Sequence, residues 1–208
     1  MIDYIMKHYD DLIAATLEHL LLVLLALVIS LIVAAALTIL CSYSKAASNV
    51  TLGLLSMVYS IPSLAMFALL IPLTGLGRTT AVTVLVVYNQ YLLLRNFLAG
   101  LDNVDESIVE AAVGMGMAPM QLLFKIKLPL AKKAIIAGIR IALVATVSIA
   151  TIAASINAGG LGAILFDGLR TMNYAKIVWG SVLSALLAIS IDVLLRLLEK
   201  KWEPNTPP

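Results

Sequence analysis

The chain has 208 residues, 62% of them hydrophobic and 12% charged, with a mean hydropathy of +1.03. That is the composition of a membrane protein rather than of a soluble domain. A formal charge of +2 without a basic run excludes a nucleic-acid binder, and a single cysteine, Cys41, excludes an internal disulfide and a cysteine-built metal site.

Residues 1–19 are polar and net acidic, with Asp3, Asp10, Asp11 and Glu18 against Lys7. The stretch lacks the basic start of a signal peptide. It is expected to be a short extracytoplasmic lead-in, an interfacial helix with Tyr4 and Tyr9 near the headgroups. Leu20 to Leu40 is a run of 21 uncharged residues, about the number that crosses a bilayer, and predicts the first span. A polar turn with Lys45 leads to a second span over 50–73. Proline at Pro62 frees backbone groups there, so Ser60 to Leu64 is either a break facing a water-lined cavity or a packing kink.

A glycine-rich turn, Thr74 to Arg78, precedes a third span over 79–98. Tyr88, Asn89, Gln90 and Tyr91 cover all sides of that helix, so some of them face protein or water. The stretch 102–129 is the longest polar interruption between spans. Asn103 with Glu106 fits a capping box, and Asp105 and Glu106 put negative charge on a first helical turn. Val104, Ile108, Ala111 and Ala112 share a face. Gly114 and Gly116 end that helix, Pro119 suits the start of another, and Leu128-Pro129 is expected to break it. The prediction is a two-helix elbow whose tip carries the small pair Ala111 and Ala112 beside Glu110, suited to a groove on another protein.

The fourth span is predicted over 134–156, with Thr146, Ser148, Thr151 and Ser155 in its far half. Gly159-Gly160-Leu161-Gly162 opens an irregular stretch, and Ile164 to Leu169 predicts a short helix tucked into the mouth of the bundle. The fifth span covers 177–195, and 196–208 is read as a tail. No lysine precedes Ser or Thr, so no phosphate-binding P-loop exists, and His8 and His19 match no metal spacing. No catalytic constellation is present.

Five spans put the termini on opposite sides. With the elbow inside, the inner segments hold nine basic residues (Lys45, Arg95, Lys125, Lys127, Lys132, Lys133, Arg196, Lys200 and Lys201), and the outer segments four (Lys7, Arg78, Arg170 and Lys176). The positive-inside rule then expects the N-terminus outside and the C-terminus cytoplasmic. Arg140 and Asp192 are the charges deepest in spans. Arg140 is about 10 Å inward of Lys133 and Asp192 about 12 Å inward of Lys200, so they are expected to pair, the alternative being that Arg140 lines the inner pathway.

Glu110-Ala111-Ala112, then Gly116, then Ile126, Leu128 and Pro129, resembles the E-A-A-x3-G-x9-I-x-L-P loop of ABC-importer permeases of type I. Ile61-Pro62-Ser63-Leu64-Ala65, Leu94-Arg95-Asn96, Ala137-Gly138-Ile139-Arg140 and Ala158-Gly159-Gly160-Leu161-Gly162 narrow the resemblance to the osmoprotectant permeases, which take up glycine betaine, carnitine and choline. Methionine, taurine and phosphonate importers share parts of the pattern. One departure is Ala118, where a polar cap is expected before Pro119.

The resemblance implies an all-α polytopic fold of about five transmembrane helices in a bacterial cell membrane. It implies that Glu110, Ala111, Ala112 and Gly116 dock on an ATPase subunit, which binds the ATP and magnesium, leaving this chain without a cofactor. A second permease copy or a related permease, and an extracytoplasmic substrate-binding protein, complete the expected assembly. Tyr59, Pro62, Ser63, Tyr88, Asn89 and Tyr91 are the expected pathway residues. A non-transporting membrane scaffold is a further class, against which the polar residues within the third and fourth spans argue, and an ion-coupled secondary transporter is the runner-up. It calls for a mid-membrane ion site and often a repeat, and no repeat shows.

Overall fold

The computed structural model describes residues 2–201, so Trp202 and the proline-rich end of the tail lie outside the described residues. Among the described residues there is helix and no strand. The first helix, α1, runs from Ile2 to Cys41 with one kink at His8. The lead-in is not a helix of its own: residues 9–19 continue α1. No Gly or Pro interrupts them, and Leu12 and His19 are buried against the bundle, which supports the extension. At about 1.5 Å per residue α1 is about 60 Å long, twice the hydrocarbon thickness.

The second span is two helices, α2 (Lys45–Tyr59) and α3 (Ser63–Thr74), bent by 95° at Ser60 to Pro62. Proline has no N–H to continue the ladder and pushes the residue before it out of helical geometry. The end of α2 tightens accordingly, with the Ile61 amide bonding the Val58 carbonyl at 3.2 Å. The kink-or-break alternative resolves as a break. Four other helices are long and apolar enough to cross a membrane, and the bent pair counted as one span makes five.

The third span, α4, covers Arg78–Asp102. The elbow contains α5 (Glu106–Gly114) and α6 (Pro119–Leu122), and a π-helical turn (Leu123–Lys127) joins it to α7 (Leu128–Ala153). The expected break at Pro129 does not occur. Proline in the first turn of α7 lacks the N–H that would reach back, and the chain absorbs this by a wider turn, in which the Leu128 amide bonds the Leu123 carbonyl. A short 3-10 turn (Ala154–Ile156) then leads to α8 (Leu161–Arg170) and α9 (Tyr174–Lys201). The predicted short helix is present and longer than expected, and α9 passes the expected end at 195.

Without a hydrophobic drive between helices in lipid, close approach of small residues binds them. Two glycines show this between α4 and α7. A Cβ at Gly100 would lie 2.7 Å from the Ala134 Cβ, and one at Gly138 would lie 2.6 Å from the Asn96 Cβ. Gly168 and Gly180 let α8 fold against α9 in the same way. The core between α1, α4 and α7 is filled by Val23, Val84, Leu85, Val147 and Ala150.

At the end of the bundle away from the elbow, Glu18 of α1 ties two turns together. Its carboxylate accepts from the Gly160 amide at 2.7 Å and pairs with Arg78. A Cβ at Gly159 would sit 2.5 Å from that carboxylate, so the glycine pair leaves the room Glu18 occupies. Beside it, fully buried His19 donates from Nε2 to the Val147 carbonyl at 3.2 Å.

The close approaches predict opposite results at two glycines. A methyl group at Gly162 meets the Thr151 carbonyl and the Ala154 side chain, whereas one at Gly53 meets nothing within 4 Å. Gly162→Ala is expected to cost about 1–3 kcal/mol, and Gly53→Ala to be neutral or to gain up to about 1 kcal/mol. Thermal unfolding of both variants in detergent checks the order.

Candidate functional site

The elbow is built by local chemistry. Asp105 caps α5: its Oδ1 accepts from the Ser107 amide at 2.9 Å and from the Ser107 hydroxyl at 2.7 Å. These bonds hold the Asp105 carboxyl below the usual carboxylate range. A depressed carboxyl contributes above its unfolded value and is lost as pH falls through the folded one, so the cap is intact at neutral pH. The expected cap, Asn103, is instead the last turn of α4, its amide bonding the Ala99 carbonyl at 3.1 Å. It is committed to one helix and cannot start the next.

At the other end of α5, Gly116 takes φ +79°, a left-handed conformation that favours glycine. This turns the Gly116 and Met117 amides back onto the Val113 and Ala112 carbonyls at 2.9 and 3.2 Å. The missing polar cap at Ala118 is made good from inside the helix, because the Gln121 side chain accepts from the Ala118 amide at 3.1 Å. Tyr43, in the turn after α1, donates to the Met120 sulfur at 2.7 Å and steadies the elbow from below.

Glu110 and Ala111 are exposed at the tip, whereas Ala112 is buried. The two alanines therefore do not form one exposed face as expected: Ala111 is exposed, and Ala112 is buried with its carbonyl bonded by the Met117 amide. The presented surface is Glu110 and Ala111 with the apolar side chains of Ile108, Val113 and Met115, the last 74% exposed. Single exposed apolar residues are ordinary, whereas this short helix and its turn expose several beside one acid.

The expected pathway residues divide into two groups. Asn89 is 2% exposed and pins three helices, donating to Ser30 of α1 at 3.2 Å and accepting from Thr146 of α7 at 2.9 Å. It faces no open surface of this chain, which corrects its expected place in the pathway. Both of its partners were missed in the sequence, for they lie 59 and 57 positions away. Tyr59, Tyr88 and Tyr91 come together at the bend, with exposed Pro62 and half-buried Ser63 beside them. Tyr88 is buried and donates to the Ile61 carbonyl at 2.5 Å.

Arg140 Nε lies 3.6 Å from Asp192 Oδ1, between α7 and α9. The pair belongs to a larger network: Arg140 reaches Glu199 at 3.4 Å, and Arg196 reaches Asp192 at 2.9 Å. A helical spacing of four from Asp192 to Arg196 was the signal for the third member.

Residues 26–204 match the family described as "Binding-protein-dependent transport system inner membrane component". The chain belongs to that family. It is 34% identical over 205 residues to the glycine betaine/carnitine/choline transport system permease protein OpuCB of Bacillus subtilis, a match covering 99% of this chain and 94% of the relative. It is 41% identical over 150 residues to the ergothioneine transport permease/ergothioneine binding protein EgtU of Helicobacter pylori, covering 72% of this chain and 27% of that one. Its fold matches an inward-facing structure of the MetNI methionine ABC transporter with a TM-score of 0.84 at 19% identity, covering 98% of this chain and all of that chain. The permease is thus a multi-pass membrane protein, and its relatives include permease subunits of osmoprotectant ABC importers.

In this permease the ionic network makes a graded prediction. Arg140 serves both acids, so Arg140→Leu leaves two carboxylates without that partner, whereas Asp192→Asn leaves Arg140 still facing Glu199. Folded protein in the membrane should fall severalfold for the first and little for the second. A charge swap, Arg140→Asp with Asp192→Arg, sets like charges against Glu199 and Arg196 and should not restore the yield. Quantitative immunoblotting of membrane fractions reads all three.

Proposed function

We propose that this chain is the transmembrane subunit of a bacterial ABC importer for quaternary-ammonium osmoprotectants, of the glycine betaine, carnitine and choline class. The observation that carries the reading is the elbow: a capped helix with an exposed acid and apolar side chains, continuous with a span, in a chain of the inner-membrane permease family. The substrate class rests on the 34% identity with OpuCB over nearly the whole of both chains.

In this mechanism the elbow seats in a groove of a partner ATPase, which binds ATP and magnesium. Two permeases, identical or related, surround the pathway, and an extracytoplasmic binding protein delivers the solute. The elbow faces the cytoplasm, with the N-terminus outside and the C-terminus inside, as the nine-to-four bias of basic residues favours. Closure of the ATPases pushes the elbows. The helical run from Pro119 to Ile156, which is α6 and α7 joined by the π-helical turn and closed by a 3-10 turn, carries that movement across the membrane. The energy enters through the partner, since this chain has no P-loop.

Ergothioneine uptake is a second reading of the same machinery, favoured by the 41% identity with EgtU. The ion-coupled alternative is disfavoured by Asp192, the acid deepest in a span, which is engaged by both Arg140 and Arg196. Cells with and without this gene, lacking redundant carriers and exposed to a salt upshift, should differ in uptake of labelled glycine betaine, choline or carnitine. Loss confined to ergothioneine would select the second reading, and no loss of either would reject both.

The elbow carries its own test. Glu110→Lys reverses the exposed charge, and Gly116→Leu forces a branched residue into left-handed backbone. Both should insert normally while uptake falls at least about tenfold and ATP hydrolysis no longer responds to the binding protein. Transport at the parental rate by both variants would end the docking role.

A further inference from the structure

The break in the second span is not covered by the elbow mechanism. It coincides with the densest group of aromatic rings in the chain. Tyr59 is the last residue of α2, and its ring meets Tyr88 edge-on at 5.6 Å and Tyr91 at 5.0 Å with a tilt of 33°. Tyr88 and Tyr91 sit near the middle of α4, a helix long and apolar enough to cross a membrane. The Tyr88 hydroxyl is held by the Ile61 carbonyl freed at the break. Tyr59 and Tyr91 are only half-buried.

Three properties of this place favour a cation. Aromatic faces attract one through the ring quadrupole. The C-terminus of α2 ends here, and a helix C-terminus carries partial negative charge and carbonyls outside the ladder. A cation already uses one ring: the Arg95 guanidinium lies 5.9 Å from the Tyr91 centroid and donates to the Tyr91 hydroxyl at 3.2 Å. Arg95 itself is exposed and free to swing aside.

The kind of cation follows from what is absent from these helices. Neither α2 nor α3 contains an acid, and α4 has none before its last residue, Asp102. Inorganic cations hold their water and require carboxylates or carbonyl cages to give it up. A quaternary ammonium is large and weakly hydrated, and ring faces suffice. Without a fixed countercharge the hold is weak, which suits a solute that must leave again.

We propose that Tyr59, Tyr88 and Tyr91, at the α2–α3 break, form a mid-membrane transit site for a quaternary ammonium group, with Arg95 as the resident cation that the solute displaces. This rests on the quaternary-ammonium reading above.

The test uses the full complex with its ATPase and binding protein in proteoliposomes. Tyr59→Leu and Tyr91→Leu remove a π face, whereas Tyr59→Phe and Tyr91→Phe keep it. The leucine variants should lose about tenfold in choline uptake per ATP hydrolysed, with ATPase activity stimulated as in the parent, and the phenylalanine variants should retain uptake. Where a leucine variant does not assemble, Ser60→Cys in the otherwise parental complex replaces it. Ser60 is exposed beside Tyr59, and the native Cys41 is buried. Choline should slow alkylation at that position severalfold, and equal potassium should not. Leucine variants at the parental rate, or no protection by choline, overturn the site while parental choline uptake leaves the importer reading standing. A parental complex that takes up no quaternary amine removes that reading and the site with it.

Discussion

Hydrocarbon offers no hydrogen bonds, so each polar group that this chain takes into the membrane has to be answered from within the bundle. The main features of the fold follow from that constraint. Hydroxyls of Ser30, Thr38, Thr146 and Thr151 bond to carbonyls one turn back in their own helices. Asn89 spends its amide on Ser30 and Thr146, joining α1, α4 and α7 at one point. Where Pro62 breaks the ladder, Tyr88 supplies a hydroxyl to the carbonyl of Ile61. A break in a span is tolerable only where such a donor stands ready, and here the donor is one of three tyrosines gathered at the bend.

Close contacts are spread unevenly along the bundle. The α4–α7 seam is closed by glycines at Gly100 and Gly138 that leave no room for a side chain. Opposite the elbow, Glu18 clasps Arg78 and the Gly160 amide. At the near end the elbow is held by Tyr43 and by its own caps, and a cavity of about 600 Å³ lies between it and the turn after α1. The elbow is thus capped by its own residues and undercut by that cavity.

Much of this is legible in the sequence, and the exceptions have physical causes. Hydropathy located the spans because about 20 apolar residues in a row have few other uses. Gly116 and Pro119 placed the turn of the elbow because their backbone preferences are strong and local. The continuity of residues 9–19 with α1 is not legible, because a helix extending beyond the bilayer regains polar faces, and only buried Leu12 and His19 reveal its contacts. Asn103 reads as a cap because nothing local says that α4 uses it first. Pro129 looked like a breaker, but a π-helical turn absorbs its missing N–H. The Arg140–Asp192 contact was readable from matched depth, while Glu199 and the partners of Asn89 depend on how helices far apart in sequence turn toward one another.

On the proposed mechanism, solute movement through this chain is driven by ATP hydrolysis in a partner and passed on through the elbow. The most direct measurement is accumulation of labelled choline or glycine betaine in proteoliposomes containing the purified complex, with no ion gradient imposed. The expected result is accumulation above the external concentration with ATP and none with a non-hydrolysable analogue. Accumulation without ATP, driven by an imposed proton or sodium gradient, would contradict it.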